Sequence, residues 1–416
     1  MMEKGGHIQV FEHQYLRVGE EVQGVRFTPA HFEALARHAD IGEGKYFTVL
    51  HQGIRFSSYV GVLQAGTLTI EILPKASRPG QQYYGIWQQA LLEMLKDCRL
   101  LKVEHLSAAS LSLRPNSILN LYIAIFLEET ETLLRQGLAK TYSRQAGNLP
   151  VLKGRLLFQR HLKENLVQAA HFYTDHELYG YEHLFNRIIG SALEALRHFP
   201  LAPPLEARYR QLLRHFPELP RVDASQLEWE QLPFGRKTAR YRNAVEAALL
   251  ILRNYRPDIR SGRRPLIAIL FDMNLLFEEY VFRQLAALQT GGLQVYRQLS
   301  RPFWERRYVR PDIVLEYNGQ RFVLDTKWKV LKRASPNMED LRQMFVYSHF
   351  FDARYGVLVY PQAYGVEDLG PVPFSQAPAS PNKIDCQAVF VEIIREGRLN
   401  RTLGQDLLLK LNLSGP

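Results

Sequence analysis

Two aspartates and one lysine, Asp312, Asp325 and Lys327, have the types and the spacing needed to act together on one reacting group. Carboxylate oxygens are the ligands that a hard divalent cation such as Mg²⁺ prefers. Two carboxylates held close together without a cation repel each other, and this raises the pKa of one of them. An ammonium group beside such a metal could orient or activate a water molecule. These residues therefore predict metal-dependent phosphodiester hydrolysis, provided that the chain brings them together.

A tight hairpin is the element that must position these residues. Asn318-Gly319 favours a two-residue turn, because both turn residues have to accept positive φ. In such a hairpin Tyr317 faces Gln320, and counting outward sets Asp312 opposite Asp325, with Cβ atoms about 4.5–5.5 Å apart. Strand alternation places Lys327 on the same face as Asp325. A bulge would break this register, and a solvated hairpin with scattered charges is the alternative.

An aromatic and basic stretch leads directly into this hairpin. Its cationic and aromatic members are Arg301, Arg306, Arg307 and Arg310, and Phe303, Trp304 and Tyr308. Guanidinium groups neutralise phosphates, and aromatic faces stack on bases. The stretch predicts contact with nucleic acid, and an ordinary amphipathic strand is the alternative.

Two predicted helices flank the hairpin in the sequence. The earlier one follows the apolar run 266–271, has Asp272 or Asn274 as its N-cap, and carries Glu278 and Glu279 in its early turns. Spacing does not choose between these two glutamates, and a solvated helix face explains both. The later helix follows Asn337 and places Gln343 and Tyr347, four residues apart, on one face.

Composition limits the classes of protein to consider. The 416 residues carry a formal net charge of +10 and a pI near 9.4, which suits a polyanionic partner. Cys98 and Cys386 are the two cysteines, so a disulfide framework or a cysteine-based zinc site is not expected. The N-terminal segment has no apolar core of a signal peptide and no apolar run approaches 18 residues, so we expect a cytoplasmic protein without membrane contact.

The elements predict an α+β multidomain fold. Residues 1–80 are β-rich, with strands expected at 46–50, 54–63 and 67–73, and form either a partner-docking domain or a plain folding domain. Residues 81–260 are mainly helical, with helices expected at 85–99, 117–138 and 176–196. Residues 261–416 form a mixed α/β domain with strands at 355–361 and 388–393 and a loop at 371–382.

Nucleotide-binding motifs are missing from the sequence. The nearest match to a phosphate-binding loop, Gly235-Arg236-Lys237-Thr238, has Glu230 where the upstream glycine is required. Any nucleotide hydrolysis is therefore expected to belong to a partner rather than to this chain.

Taken together, the motifs resemble those of a known family. Pro311-Asp312 followed by Asp325-Thr326-Lys327 resembles the PD-(D/E)xK nuclease superfamily, and Gln343 with Tyr347 is similar to the QxxxY element of its RecB-like branch. With residues 272–274, 276–278 and 324–329, the set resembles the McrC family, the nuclease subunit of McrBC-type modification-dependent restriction systems. The likeness extends upstream to residues 59–63, 70–75 and 152–156.

The resemblance implies a role for each matching residue. Asp312 and Asp325 would ligate Mg²⁺, for which Mn²⁺ can substitute, with help from the Thr326 carbonyl. Lys327 would assist the attacking water. Glu278, chosen over its neighbour by the resemblance alone, would complete the acidic set. The residues expected to support the site or contact the DNA are Gln343, Tyr347 and Arg310.

The resemblance also implies a C-terminal PD-(D/E)xK endonuclease domain, double-stranded DNA as substrate, and a McrB-like AAA+ GTPase hexamer as partner, which the N-terminal part of this chain stimulates. Two alternatives remain. One is a stand-alone or ATP-coupled RecB-like nuclease, and the other is a non-catalytic assembly factor that activates a AAA+ motor.

Overall fold

The computed structural model describes residues 6–40, 44–65, 67–75, 83–100, 118–167, 170–197, 199, 201–223, 227, 231–256, 266–331, 333, 335–362, 366–375 and 383–413. The helices in these ranges are α1 (Pro29–Ala36), α2 (Tyr84–Asp97), α3 (Ile118–Gln136), α4 (Phe158–Asn165), α5 (Leu184–Leu196), α6 (Pro203–His215), α7 (Arg242–Arg253), α8 (Met273–Ala286), α9 (Met338–Phe350) and α10 (Leu403–Lys410). A short 3₁₀ helix covers Ala239–Tyr241. None of these described helices combines the length and the apolar run needed to cross a bilayer.

The strands in the first half of the chain are β1 (Gly6–Phe11), β2 (Tyr15–Arg17), β3 (Glu21–Val22), β4 (Val25–Arg26), β5 (Phe47–Leu50), β6 (Gly53–Phe56), β7 (Tyr59–Ala65), β8 (Leu68–Leu73), β9 (Thr141–Leu149), β10 (Arg155–Leu156) and β11 (Phe172–Gly180). Those in the second half are β12 (Tyr255–Arg256), β13 (Leu266–Asp272), β14 (Leu293–Arg297), β15 (Arg301–Trp304), β16 (Arg307–Val309), β17 (Ile313–Tyr317), β18 (Gln320–Thr326), β19 (Tyr355–Pro361), β20 (Leu369–Pro373), β21 (Asp385–Val391), β22 (Ile394–Arg395) and β23 (Arg398–Leu399).

The chain forms two compact units, one from residues 1–102 with 270–416 and the other from residues 103–269. The three consecutive domains expected at 1–80, 81–260 and 261–416 therefore do not coincide with these units. The two ends of the chain share one unit because they are packed together. Helix α2 lies against α8, where Cys98 Sγ is 3.9 Å from the Leu276 carbonyl oxygen.

A six-stranded mixed sheet is the centre of the first unit. Its order is β14-β17-β18-β19-β21-β20, with β18, β19 and β21 parallel to one another. Helix α9 connects β18 to β19 and packs on the sheet through Met344, beside Val323, Leu358 and Phe390 in the core. A Cβ at Gly356 would lie 3.1 Å from Met344 Cε, so glycine allows this close approach. The expected mixed α/β arrangement is confirmed in this region.

The N-terminal part of the same unit is β-rich, as expected. Strand β1 runs parallel to β8, which is antiparallel to β7, and β2, β6 and β5 form a separate three-stranded sheet. The single strand expected at 54–63 is in fact two strands, β6 and β7, which belong to different sheets. The break lies at residues 57–58, where Ser57 Oγ donates to the Tyr46 carbonyl.

The second unit combines helices with a three-stranded sheet of order β10-β11-β9. The helix expected at 176–196 is wrong in its first part, because residues up to Gly180 belong to β11 and the helix begins only at Leu184. Strand β11 pairs with β9 along its whole length, and the rings of Tyr142 and Tyr179 lie 4.7 Å apart across that pair. This long-range pairing overrides the helical spacing of the local sequence.

The loop expected at 371–382 is also partly wrong. Residues Leu369–Pro373 form β20, which pairs with β21 across a register shift and covers that edge of the sheet. The part of this loop at 376–382 lies outside the described residues.

A buried polar network joins the helices of the second unit. The Tyr241 hydroxyl donates to Asn186 Oδ1 at 2.9 Å and accepts from the Ala139 amide at 2.6 Å. Asn186 Nδ2 in turn donates to the carbonyls of Ala139 and Tyr181. Tyr241 and Asn186 are both fully buried, so each polar group depends on these protein partners in place of water.

We expect Tyr241→Phe to lower the free energy of unfolding by about 2 kcal/mol, because it leaves the part-buried Ala139 amide and the buried Asn186 side-chain oxygen without their partner. Thermal unfolding of the full chain measures the effect, which corresponds to about 4–8 °C in Tm for a unit of this size. Tyr142→Phe is the matched control, since that side chain is 68% exposed. Equal transition temperatures for the two variants would contradict the prediction.

Candidate active site

The hairpin of β17 and β18 has the geometry expected from the sequence. Its turn residues Asn318 and Gly319 have φ values of 48° and 79°, and the register pairs Ile313 with Leu324 and Tyr317 with Gln320. Asp312 lies one residue beyond the last pair. Its position therefore continues the ladder opposite Asp325, and no bulge interrupts the hairpin.

Asp312 is held by the strand that carries Asp325. Its Oδ2 atom accepts hydrogen bonds from the backbone amide of Thr326 at 2.7 Å and from the Thr326 hydroxyl at 2.8 Å. The Asp312 carbonyl accepts from the amide of Gln298 at 2.9 Å. Two donors on one carboxylate oxygen fix its orientation, so the side chain of Thr326, which the sequence did not single out, is a positioning group.

Asp325 is almost completely buried, with 2% of its surface exposed. Burial and, after it, the neighbouring Asp312 raise its pKa to about 7, against the opposing effect of Lys327. Its Oδ2 atom lies 2.7 Å from Lys327 Nζ and is otherwise without a hydrogen-bond partner among the described residues. A buried carboxylate beside a second carboxylate is unfavourable by itself, and the ammonium group offsets part of that cost.

Lys327 connects the acid pair to helix α9. Its Nζ atom donates to Gln343 Oε1 at 3.0 Å, and Gln343 Nε2 donates to the Tyr347 hydroxyl at 2.8 Å. Burial lowers the pKa of the Lys327 ammonium, but the charge and hydrogen bond of Asp325, together with the charges of Asp340 and Asp312, outweigh burial and raise that pKa. The structure thus brings four of the predicted site residues into one chain of contacts, in which Lys327 is protonated at neutral pH.

The structure distinguishes the two adjacent glutamates of α8. Glu278 Oε1 accepts from Gln298 Nε2 at 2.7 Å, and its pKa is raised by burial and then by Asp312. Glu279 is ion-paired with Arg283 and closely with Arg297, whose guanidinium lies farther from Glu278 Oε1, at 3.8 Å. Glu278 therefore belongs electrostatically to the acid pair, whereas Glu279 is neutralised by two arginines.

Arg310 is exposed and makes no hydrogen bond or ion pair to the other predicted site residues in the described part of the chain. Arg310 lies two residues before Asp312 in the sequence, but its guanidinium is not part of the polar network of the site.

The donor chemistry of the site fits a hard divalent cation. Among the described residues, no group of three or more His, Cys, Asp and Glu side chains is placed to hold a metal ion. Asp312 and Asp325 are oxygen donors, and the repulsion that raises the pKa of Asp325 is what a dication would relieve. Glu278 acts on this pair through its charge and through Gln298, which contacts both Glu278 and Asp312.

A second buried carboxylate, missed by the sequence analysis, supports the strand from the opposite side. Glu12 follows β1 and is 1% exposed. Its Oε1 atom accepts from Trp328 Nε1 at 2.6 Å and from the Lys75 amide at 2.7 Å. The Trp328 ring packs against Phe277 with centroids 5.2 Å apart. The alternation of side chains along the strand predicts that Trp328 and Asp325 lie on opposite faces. No local sequence pattern predicts that Trp328 contacts Glu12.

Asp340 supports the same strand end from α9. It is 6% exposed, its Oδ2 accepts from the Tyr360 hydroxyl at 3.2 Å, and Lys329 Nζ lies 3.4 Å from its oxygens. The helix is fixed at this point because Asn337 caps its N-terminus by accepting from the Asp340 amide. Residues 325–329 are therefore held on both faces of the strand.

Comparison with protein families gave a match over more than half of the chain. The profile of the family described as McrBC 5-methylcytosine restriction system component matches residues 54–361. This range includes β17, β18 and the Gln343 and Tyr347 positions of α9. A comparison with curated proteins found no match.

Comparison with solved structures gave matches of low sequence identity. A chain in the half-complex from the tetradecameric assembly of Thermococcus gammatolerans McrB AAA+ hexamers with bound McrC has a TM-score of 0.65 and 20% identity, covering 97% of this chain and 100% of that chain. A chain of the Thermococcus gammatolerans McrBC complex has a TM-score of 0.47 and 20% identity, covering 67% and 86%. The first similarity shows a shared fold.

We expect Glu12→Gln to change how stability depends on pH. The Glu12 pKa rises from its ordinary 4.5 to about 7 on folding, mainly through burial, so between these values the folded protein binds more protons than the unfolded one. Wild-type stability therefore falls as pH rises through this window, by up to about 3 kcal/mol from this group. Glutamine keeps the oxygen acceptor for Trp328 and does not titrate.

Thermal unfolding of both proteins at steps from pH 5 to pH 8 measures this difference. As pH rises, the transition temperature of Glu12→Gln should increase relative to that of the wild type. The transition temperature of Glu33→Gln, at an exposed site, should keep a constant difference from that of the wild type. A constant difference across the pH series would show that Glu12 does not titrate in this way.

Proposed function

The chain belongs to the McrBC 5-methylcytosine restriction system component family, and on that premise we propose that it is a Mg²⁺-dependent DNA endonuclease subunit with a PD-(D/E)xK site. The observation that carries the proposal is the buried Asp325 carboxylate, placed next to Asp312 in hairpin register and ion-paired with Lys327 at 2.7 Å. Family membership supports a restriction role, and this geometry supports hydrolysis of a phosphodiester.

Asp312 and Asp325 would hold the cation, with Glu278 adding negative charge beside Asp312. When bound, Mg²⁺ would act as a Lewis acid on the phosphate and lower the pKa of a water molecule. Lys327 is kept protonated by Asp325, so it serves as a hydrogen-bond donor that orients the attacking water rather than as a base. Gln343 holds the ammonium in position, and Tyr347 holds the Gln343 amide.

We further propose a AAA+ ring of the McrB type as partner and GTP as the nucleotide that this ring hydrolyses. The similar chain of Thermococcus gammatolerans comes from an assembly of McrB AAA+ hexamers with bound McrC, which supports such a partner. The sequence offers no phosphate-binding loop of its own, so the nucleotide would bind to the ring, and this chain would stimulate its turnover.

We expect Asp325→Asn and Lys327→Ala each to lower DNA cleavage by at least about 100-fold, since the first removes a charge that would hold the cation and the second removes the donor that would orient the attacking water. The measurement mixes the chain, co-purified with its AAA+ partner, with methylated or unmethylated plasmid, Mg²⁺ and GTP. Lys163→Ala, on an exposed helix of the other unit, is the control and should cut normally.

Normal cutting by Asp325→Asn would refute the site assignment. If the wild-type chain leaves all DNA intact yet raises nucleotide turnover by the ring, the chain is an assembly factor and the nuclease proposal fails.

The adjacent glutamates provide a second test. We expect Glu278→Gln to lower cleavage by about 10- to 100-fold, as is typical when a group supporting a metal site is removed, and to weaken Mg²⁺ binding measured by calorimetry. Glu279→Gln should lower both properties less, because Glu279 faces Arg283 and Arg297 and acts on the acid pair only through the shared Arg297. Equal losses in the two variants would mean that the acidic set is not the one proposed.

A further inference from the structure

The hairpin formed by β15 and β16, residues 301–309, is a two-stranded ribbon outside the main sheets. We call it the aromatic ribbon. Its strands pair Trp304 with Arg307 and Pro302 with Tyr308, and Glu305 in the turn has φ 48°. Phe303, Trp304 and Tyr308 are 51%, 58% and 61% exposed. Aromatic side chains grouped and exposed in this way mark a contact surface, since such a surface is unfavourable in water.

Three residues, Arg301, Phe303 and Val309, hold the ribbon against the rest of its unit. Arg301 donates to the Phe350 carbonyl and is ion-paired with Asp352 at 3.3 Å. The Phe303 ring lies 5.3 Å from the ring of Phe350 at the end of α9, and Val309 is buried. These contacts fix the ribbon relative to α9, which also carries Gln343, and leave residues 304–308 exposed.

The charge of the exposed part is positive. Arg306, Arg307 and Arg310 are exposed, and within the described chain none of the three forms an ion pair. The Arg307 guanidinium lies 5.6 Å from the Trp304 ring. Cations beside exposed aromatic rings suit a polyanion whose subunits also offer flat rings, which is the chemistry of nucleic acid.

The ribbon has the form of an element that the major groove of DNA admits. Neighbouring residues on a strand point to opposite faces, so Arg307, with Trp304 across from it, lies on one face and Tyr308 on the other. Both faces therefore present an exposed aromatic ring. The major groove of DNA, about 12 Å wide, admits a two-stranded ribbon.

The position of the ribbon relates it to the proposed cutting site. Tyr308 precedes Asp312 by four residues, a span of at most about 13 Å for an extended chain. We propose that the aromatic ribbon enters the major groove of duplex DNA beside the phosphodiester to be cut, with Arg306, Arg307 and Arg310 on phosphates and Trp304 and Tyr308 against base edges. The position of the ribbon beside the cut phosphodiester rests on the proposed nuclease function. The contact between the ribbon and DNA is independent of that function.

The test uses the full chain carrying Asp325→Asn, so that DNA stays intact, and measures binding to a labelled duplex by fluorescence anisotropy at several salt concentrations. We expect Arg306→Gln with Arg307→Gln to weaken binding about tenfold and to reduce the slope of log K against log salt by about 2. Trp304→Ala should weaken binding about fivefold or more with little change in slope. Arg37→Gln and Leu409→Ala, exposed sites elsewhere in the same unit, are the controls.

Competitors separate the two grooves. Methyl green, which occupies the major groove, should displace the chain, and netropsin, which occupies the minor groove, should not. Displacement by netropsin alone, or ribbon variants that bind DNA like the controls, would overturn the inference. So would an absence of binding at about 50 mM salt, where phosphate contacts are strong. A change of oligomeric state with unchanged DNA binding would assign the ribbon to a contact between copies of the chain and would also overturn it.

The two proposals fail separately. If the chain with an intact site does not cut DNA but binding depends on the ribbon, the nuclease proposal fails and the ribbon inference stands. If Asp325→Asn abolishes cutting while the ribbon variants bind and cut like the controls, the nuclease proposal stands and the ribbon inference fails.

Discussion

Burial of the Asp325 carboxylate beside Asp312, with the Lys327 ammonium as its counter-charge, is the interaction on which the proposed site depends. Removing charges from water is costly, and an ion pair recovers that cost only when its geometry is good and its remaining donors are satisfied. Lys327 has Gln343 as a second acceptor, but Asp325 Oδ2 has no further hydrogen-bond partner among the described residues, so the ion pair recovers only part of the cost. A site of this kind is unfavourable without a cation and becomes favourable with one, as metal-dependent chemistry requires.

The strand end at residues 325–329 is held by parts of the chain that are far apart in sequence. Helix α9 supplies Gln343 and Asp340 on one side, and Glu12 reaches Trp328 from the N-terminal sheet on the other. The two ends of the chain therefore fold as one unit. A disturbance of the N-terminal sheet would reach Trp328 directly and the neighbouring Lys327 through the backbone, so the N-terminal region is more than an independent docking module.

Residues of the same type that are close in the sequence have different roles, because their side chains contact different groups. Glu278 and Glu279 are adjacent in one helix, yet one raises the negative charge beside Asp312 and the other neutralises two arginines. Arg301 and Arg307 belong to the same hairpin, but Arg301 anchors its base to α9 while Arg307 stays exposed beside Trp304. Residue type alone predicts neither of these differences, because the role of each side chain depends on the surface that its face of the helix or ribbon contacts.

The sequence by itself determined the hairpin, its turn and its register, because Asn318-Gly319 and strand alternation act over a few residues and leave one favourable arrangement. It also determined Gln343 and Tyr347 as one helix face, and most helices and strands of the mixed sheet. Only the tertiary structure decided that residues 172–180 form a strand, that Glu12 binds Trp328, and that the chain ends share a unit. Each of these depends on contacts between segments far apart in sequence, whose energy comes from burial and hydrogen bonds that no local spacing encodes.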